Sequence, residues 1–293
     1  MSSEPSTPVK PVLPFTRFAF WVAVVLASVA GFQLTVLTKH TDHYFAWTIG
    51  NPLSATFLGS IYFSGTVLFV LSLRERAWAN VRVAMAPILT FVPLITLATF
   101  LHLQPFHFHS SILGARIAAW AWLVVYILDP ILVVVAVVLQ LRIAGDDPPV
   151  LNPVAPWARA VVGINGVGTF IVGLALFVVP HRLFGYWPWQ LTTLTAQTTA
   201  CGFLAIAAAS IFFVRERSWA RARVGTLPFL TMSLLQLLGL LRYEGRVEWG
   251  RAATWLYLVF LLAIVAGSVY SSLLVWRMGP EESLPVVAIP HGT

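Results

Sequence analysis

The stretch that decides the fold is IAAWAWLVVYILDPILVVVAVVL, residues 117–139, in which Asp129 is the only charged residue. An α-helix rises about 1.5 Å per residue, so a run of this length crosses the roughly 30 Å hydrocarbon core of a bilayer. Backbone N–H and C=O groups in hydrocarbon must be hydrogen-bonded within the segment, which a helix achieves and an isolated strand does not. The stretch therefore predicts a transmembrane helix with an acidic side chain near its middle.

Apolar runs of the same kind lie on both sides of this segment, each long enough to span a membrane. They cover residues 18–37, 53–73, 83–101, 160–179, 194–214, 224–241 and 252–276. The composition agrees, since 58% of the residues are hydrophobic and 10% are charged, whereas soluble domains contain about 25% charged residues. The predicted fold class is all-α integral membrane with eight transmembrane helices, and the expected surroundings are a lipid bilayer.

Charge, cysteine content and motifs exclude several functional classes. The net charge of +7 comes from short basic clusters between apolar runs, a pattern typical of membrane topology and not of nucleic-acid binding. Cys201 is the only cysteine, which excludes a disulfide framework and cysteine-based metal motifs. The sequence also lacks a phosphate-binding Gly-Lys-Ser/Thr loop and an H-E-x-x-H motif. It therefore indicates no particular enzyme class.

The Lys and Arg residues beside the runs predict the orientation of the chain. With the N-terminus inside, twelve of the 18 flank inner ends of spans and six flank outer ends, as the positive-inside rule requires. We therefore expect a multi-pass protein of the cytoplasmic (inner) membrane with both termini cytoplasmic. The tryptophans fall near the ends of the predicted spans, so we also expect their rings at the level of the lipid headgroups.

A charged segment occurs twice in the sequence. Residues 74–83, RERAWANVRV, recur 141 positions later as residues 215–224, RERSWARARV. Further along, Arg116 is matched by Arg251 at a spacing of 135. Each copy holds four predicted spans, an even number, so both copies enter the membrane in the same direction. The sequence therefore predicts two parallel four-helix repeats related by an axis along the membrane normal.

The repeat divides the chain into predicted segments: a disordered cytoplasmic tail at 1–16, a first four-span repeat at 17–142, a cytoplasmic linker at 143–156, a second four-span repeat at 157–277 and a cytoplasmic tail at 278–293. The first span has an alternative interpretation as a secretory signal, because Lys10 and Arg17 precede an apolar run that contains a cleavage-like segment at 27–30. The counterpart of this run near Ala160 favours a retained span.

Two related segments resemble a pattern in a family of uncharacterised bacterial multi-pass membrane proteins. These segments are FAWTIGNPLSA at 45–55 and YWPWQLTTLTA at 186–196, and in that family an Arg-Glu-Arg-x-Trp loop accompanies them. The resemblance covers part of the chain and implies the same multi-pass architecture. It implies no activity, no cofactor and no catalytic residue.

Asp129 is the acidic residue inside a predicted span and is a candidate site for a proton or a cation. Ionisable groups at mid-membrane are costly, so they usually face a protein interior or a water-filled cavity. Pro130 has no backbone donor, which leaves the carbonyl of Tyr126 without its helical partner. Because no Lys or Arg is predicted at the same depth, we expect the carboxyl group to be neutral at rest. The alternative is a structural Asp129 that hydrogen-bonds a neighbouring helix.

Five histidines, His40, His43, His102, His107 and His109, are predicted on the outer face of the first repeat. Imidazole binds zinc, copper, iron and nickel, and the H-x-x-H and H-x-H spacings can bring ring nitrogens together. These histidines are candidate ligands for a metal ion on the outer face. The alternative is that they are solvated loop side chains.

Three functions remain open on the sequence alone. The scarcity of polar groups in most spans favours a non-catalytic accessory or binding subunit that packs against other membrane protein subunits. Asp129 favours a transporter-like protein with a site near that residue. The outer-face histidines favour the alternative, a membrane-bound metal or redox protein. No catalytic residue is assigned, and lipids are the other expected ligands.

Overall fold

The structure is a computed structural model that describes residues 8–148, 153–216 and 218–278. Parts of the predicted tails and linker, namely residues 1–7, 149–152 and 279–293, lie outside the described residues, as do Arg217 and the side chains at 220, 222, 223 and 275–278. Within the described ranges the chain folds into α-helices joined by short connections. The predicted all-α class is therefore confirmed.

The helices are α1 (Pro14–Thr35), α2 (Thr41–Tyr44), α3 (Pro52–Arg74), α4 (Trp78–Leu101), α5 (Leu113–Leu141), α6 (Pro156–Val178), α7 (Thr193–Glu216), α8 (Trp219–Arg242) and α9 (Ala252–Met278). All of them except the short α2 are long and apolar enough to cross a membrane, which gives the eight expected spans. Short 3-10 turns at Pro180–Arg182 and Glu244–Arg246 lie in the connections before α7 and α9.

Several helices begin earlier than the apolar runs in the sequence. Helices α4 and α8 start at Trp78 and Trp219, each five residues before the predicted span. Arg82 and Arg221 lie among their first five residues, and arginine lowers hydropathy but is a good helix former. Pro14, Pro52 and Pro156 occupy the first helical position of α1, α3 and α6. A proline is tolerated there because its missing N–H would have had no intrahelical acceptor.

The segment at residues 8–13, expected to belong to a disordered tail, is bound to the rest of the fold. The Lys10 N–H donates to Asp146 O at 3.1 Å, and the Trp78 N–H donates to Lys10 O at 2.9 Å. Val12 is buried in a cluster with Trp78. The segment is rich in proline and polar residues, but neighbouring connections satisfy its backbone groups, so it is ordered.

Four helices form the centre of the bundle and four lie around them. In the centre, α3 packs against α8 and α4 packs against α7. Around them, α1 packs on α3, α5 on α4, α6 on α7 and α9 on α8. The apolar segment of α7 is 72% buried inside the protein, whereas that of α5 is 17% buried. The outer faces of the peripheral helices are therefore the surfaces that lipid covers.

Two arginines, one in α1 and one in α6, hydrogen-bond the helices that follow them. Arg17 donates from its guanidinium to Leu73 O at 2.7 Å, and Arg159 Nε donates to Val214 O at 3.0 Å. Both carbonyls belong to the last turn of a helix, α3 or α7. Carbonyls at this end lack intrahelical donors and carry the negative end of the helix dipole, so a cation there is favourable.

The tryptophans are not all exposed on the surface of the bundle. Among those whose side chains are described, five are exposed, namely Trp21, Trp120, Trp157, Trp249 and Trp255, and six are buried, namely Trp47, Trp78, Trp122, Trp187, Trp189 and Trp219. Burial of a ring does not test its depth in the membrane, so the expected headgroup level stays a prediction. Position near a span end does not distinguish a ring that faces lipid from one that packs inward, where its large apolar area is also stabilising.

Helices α1 and α3 approach most tightly where glycine allows it. A Cβ atom at Gly59 would lie 2.8 Å from Leu34 Cβ and 2.9 Å from the Leu34 carbonyl carbon. We expect Gly59→Ala to lower the free energy of unfolding by about 1–3 kcal/mol, because backbone atoms cannot move aside cheaply. Gly168→Ala is the control, since a Cβ there meets nothing within 4 Å. Thermal unfolding of both variants and of the unmodified protein is measured in detergent by tryptophan fluorescence. Equal losses of stability in the two variants would contradict the tight contact.

An ion-pair network joins α4, α7 and α8 at the membrane face where α1 begins. Arg82 donates from Nε and Nη2 to the two carboxylate oxygens of Glu216 at 2.5 and 2.8 Å. Arg221 donates to the same carboxylate at 2.8 Å, and Asp147 lies 2.7 Å from Arg82. The Arg221 and Glu216 side chains are 8% and 9% exposed, so water screens their interaction weakly. Both arginines thus bind protein groups that the positive-inside pattern does not identify.

This network predicts a stability loss for Glu216→Gln. The substitution removes the charge that Arg82 and Arg221 share and leaves two guanidinium groups poorly paired. We expect the free energy of unfolding to fall by about 1.5–3 kcal/mol. Glu248→Gln is the control, because Glu248 lies in an exposed pair with Arg251, a type worth about 0–1 kcal/mol. If both variants unfold at the temperature of the unmodified protein, the network does not stabilise the bundle.

Candidate functional site

A cavity of about 530 Å³ lies among the spanning helices, and residues of all eight spans line it. Its wall is mainly aliphatic and aromatic, and Asp129 is the only charged side chain among the described lining residues. Leu26, Val29 and Val161 also line it and are exposed on the outside of the bundle. The cavity therefore extends to the lipid-facing surface, and we refer to it as the Asp129 cavity.

Asp129 lies on the inward face of α5. Trp122, Tyr126 and Asp129 are spaced by four and three residues, so they share one face of the helix, and all of them line the cavity. Leu128 and Ile131 are exposed on the other side of α5. Within the part of the chain that the structure describes, no group donates a hydrogen bond to the Asp129 carboxyl. No described residue therefore supplies the structural hydrogen bond of the alternative interpretation, and both interpretations of Asp129 stay predictions.

The backbone carbonyl that Pro130 releases is not free. Thr96 Oγ1, on α4, lies 3.0 Å from Tyr126 O and 2.8 Å from Val92 O, and its single proton serves these two acceptors. The carbonyl therefore has a hydrogen-bond donor in the fold, unlike the unpaired carbonyl expected from the sequence, and a site at Asp129 stays a prediction. The sequence could not show this, because Thr96 comes from a different helix.

Four aromatic rings form one side of the cavity, and we call them the aromatic wall: Tyr62, Phe91, Trp122 and Tyr126. The ring centroids of Trp122 and Tyr126 are 4.5 Å apart, and those of Tyr62 and Phe91 are 5.9 Å apart. The Tyr62 and Tyr126 hydroxyls hydrogen-bond each other, and Trp122 Nε1 donates to Thr99 Oγ1 at 3.0 Å. These bonds hold the rings in place at the edge of the cavity.

The second half of the chain supplies apolar residues to the same cavity. Ile264 lies 135 positions after Asp129, and Met232 lies 141 positions after Phe91, and both line the cavity. The spacings are those of the repeated segments. The residues at these spacings from the carboxyl and from one ring of the aromatic wall are thus apolar side chains. The site combines one carboxyl group with an apolar surface on its other sides.

Two of the candidate metal ligands, His40 and His43, lie close together at α2. Their ring centroids are 6.4 Å apart, and His43 Nδ1 lies 2.9 Å from a carboxylate oxygen of Asp42. This hydrogen bond holds the pKa of the exposed Asp42 carboxyl below its usual value. The three side chains make a cluster on the face opposite the start of α1.

The remaining candidate histidines do not join this pair. His102 Nε2 lies 2.7 Å from Gln197 Oε1. His107 uses both ring nitrogens, with Nδ1 3.0 Å from Phe45 O and Nε2 2.9 Å from Thr48 Oγ1. His109 is exposed.

A neutral His107 therefore donates from Nδ1 to the carbonyl and accepts the threonine hydroxyl at Nε2. Among the described residues no group of three or more His, Cys, Asp and Glu side chains is arranged to hold a metal ion. A metal site on the outer face stays a prediction.

Comparison of the chain with protein-family models, with curated proteins and with solved structures finds no match. Function therefore has to be inferred from the chemistry of the site. The sequence identified Asp129 but not Tyr62 or Phe91, which come from other helices. The spacing of Trp122, Tyr126 and Asp129 along α5 was the available signal, because it places two rings and a carboxyl on one helix face.

The hydroxyl pair in the aromatic wall predicts a non-additive effect on stability. Tyr62→Phe leaves the Tyr126 hydroxyl without a partner in an apolar environment, so we expect the free energy of unfolding to fall by about 1–3 kcal/mol. The double variant Tyr62→Phe with Tyr126→Phe removes both polar groups and should lose less than the sum of the single variants. Thermal unfolding of all four proteins in one detergent tests this. If the stability lost in the double variant equals the sum of the losses in the two single variants, the two hydroxyls do not stabilise each other.

Proposed function

We propose that this chain is a transporter-like membrane protein that binds a small, predominantly apolar molecule in the Asp129 cavity. The cavity itself is the observation that supports the proposal. Its volume, about 530 Å³, lies within the roughly 300–1,000 Å³ that is typical of small-molecule sites. Such sites are lined mainly by apolar and aromatic side chains with few polar groups, as this one is.

The lipid phase is the proposed route of entry. Leu26 and Val29 of α1 and Val161 of α6 line the cavity while their side chains are exposed to the surroundings of the bundle. A molecule dissolved in the hydrocarbon can therefore reach the cavity without crossing a polar surface. Its apolar groups favour both the lipid and the cavity wall, so the carboxyl group provides selectivity.

The two halves are proposed to be tandem parallel copies of one four-span unit, with both termini on the cytoplasmic side of the inner membrane. The repeated segments and the positive-inside distribution support this arrangement. Isolated β-bridges at equivalent positions support it as well. The backbone of Pro11 bridges to that of Ala77, and the backbone of Pro153 bridges to that of Ser218. A cavity lined by both copies is where parallel-repeat transporters are expected to bind their substrates.

The other two hypotheses have less support. An accessory subunit that only packs against other membrane proteins does not require a cavity that holds a carboxyl without a hydrogen bond. A metal or redox protein requires several ligands in one place, and the described residues contain no such group on the outer face. Binding of a small molecule in the Asp129 cavity is therefore the function with the most support.

Binding of a neutral apolar probe tests the proposal. The protein is placed in lipid nanodiscs, and N-phenyl-1-naphthylamine is added while energy transfer from tryptophan to the probe is recorded. We expect saturable transfer above the level in empty nanodiscs. Gly65→Phe should weaken the affinity at least about tenfold, because the ring occupies space that the ligand needs. Gly65 lines the cavity, and a Cβ there meets only Phe69, at 3.6 Å, so the backbone tolerates the change.

Gly168→Phe is the matched control for this experiment. It introduces the same ring into a helix at a position outside the cavity lining, where a Cβ meets nothing within 4 Å. The probe affinity of this variant should equal that of the unmodified protein. Absence of saturable binding, or equal loss in both variants, would overturn the proposed site and return the accessory-subunit hypothesis to first place.

A further inference from the structure

We propose that the ligand of the Asp129 cavity is a hydrophobic organic cation, such as a quaternary ammonium or phosphonium ion with apolar substituents. This inference rests on the proposed function and specifies the chemical class of the ligand. It starts from the carboxyl of Asp129, which receives no hydrogen bond from a described residue although it lies in an apolar cavity. We expect this carboxyl to be neutral while the cavity is empty, and a bound positive charge is the group that would stabilise its ionised form. The described lining residues include no Lys, Arg or His to do so.

The aromatic wall supplies a second attraction for a positive charge. Aromatic faces carry negative electrostatic potential, and a cation within about 6 Å of a ring centroid is stabilised, most strongly by tryptophan. Trp122 and Tyr126 lie on the same face of α5 as Asp129, and Tyr62 and Phe91 continue the wall on α3 and α4. A ligand beside the carboxyl therefore meets rings as well as a negative charge.

The same groups disfavour anions and strongly polar ligands. The hydroxyls of Tyr62 and Tyr126 hydrogen-bond each other, and the indole N–H of Trp122 binds Thr99. One of the two hydroxyls donates to the other, so this bond uses one of the two phenolic protons, and the indole proton is also engaged within the protein. An anion beside the ionised Asp129 carboxylate would meet like charge, with at most one unused hydroxyl proton in the aromatic wall, which is unfavourable in a medium of low dielectric constant.

A bare metal ion is also a poor fit to this part of the cavity. Hard cations such as Ca²⁺ take about six to eight oxygen ligands. Asp129 provides one carboxylate, and the nearby Tyr126 carbonyl is occupied by Thr96. A quaternary cation needs no coordinating oxygens, because its charge is spread over apolar groups that the rings contact. Ile264 and Met232, which line the cavity from the second half, offer an apolar surface to the other substituents.

Equilibrium binding of tetraphenylphosphonium to the protein in nanodiscs tests the inference, with empty nanodiscs subtracted. We expect saturable binding, and no saturable binding of the isosteric anion tetraphenylborate. This comparison uses the unmodified protein, so it does not depend on whether a variant folds. Saturable binding of the anion with an affinity equal to that of the cation would overturn the inference.

Variants locate the cation within the cavity. Asp129→Asn keeps the shape of the side chain but removes the charge. Its affinity for tetraphenylphosphonium should fall at least about tenfold from that of the unmodified protein, after correction for any change in the affinity for N-phenyl-1-naphthylamine. Asp129→Glu keeps the charge and should bind the cation more tightly than Asp129→Asn does. Phe91→Leu should weaken cation binding severalfold, whereas Phe100→Leu, on the exposed face of α4, should not.

The two probes separate failure of the inference from failure of the proposed function. If the neutral probe binds and the phosphonium ion does not, the cavity is a binding site but the ligand is not a cation. An unchanged ratio of the two affinities in Asp129→Asn leads to the same conclusion. If neither probe binds saturably, both the inference and the proposed function are wrong.

Discussion

Polar groups inside the hydrocarbon of a membrane need partners from the protein, because no water is present to replace a missing hydrogen bond. This constraint accounts for the interior of the bundle. Gln236, for example, donates to Ser60 at 2.8 Å and accepts the hydroxyl of Tyr257. The Tyr126 carbonyl, released by a proline, is taken by Thr96 from the adjacent helix. These hydrogen bonds join neighbouring helices at particular positions along their length, in addition to the apolar packing between them.

Asp129 departs from this rule, and the departure is what makes it informative. Its carboxyl lines an apolar cavity, which the aromatic wall also lines, without a hydrogen bond from the described residues. Four other polar atoms of the described residues are also buried without a hydrogen-bond partner, namely Trp47 Nε1, Ser72 Oγ, Trp187 Nε1 and Ser233 Oγ, but Asp129 is an ionisable group that faces a cavity. This combination supports a site for a group that the chain itself does not supply. The proposed cationic ligand is that group.

The position of the cavity follows from the arrangement of the helices. The centre of the bundle contains four helices that pack tightly, namely α3, α4, α7 and α8. Each of the peripheral helices packs mainly on one neighbour and presents most of its surface outward; these are α1, α5, α6 and α9. Space remains where the peripheral helices meet the central ones, and it is open to lipid on the outside. If the halves are copies of one unit, as proposed, the carboxyl was gained or kept in one copy, since the corresponding position in the other is Ile264.

The sequence by itself determined the eight spans, because apolar length alone decides whether a segment can cross a bilayer. It also identified Asp129 as exceptional, since a charged residue in such a segment is visible without any structure. Only the tertiary structure decided which tryptophans are buried, that Thr96 donates to the Tyr126 carbonyl, and that Tyr62 and Phe91 line the same cavity as Asp129. Those facts depend on which faces of different helices meet, and hydropathy measures each segment without reference to its neighbours.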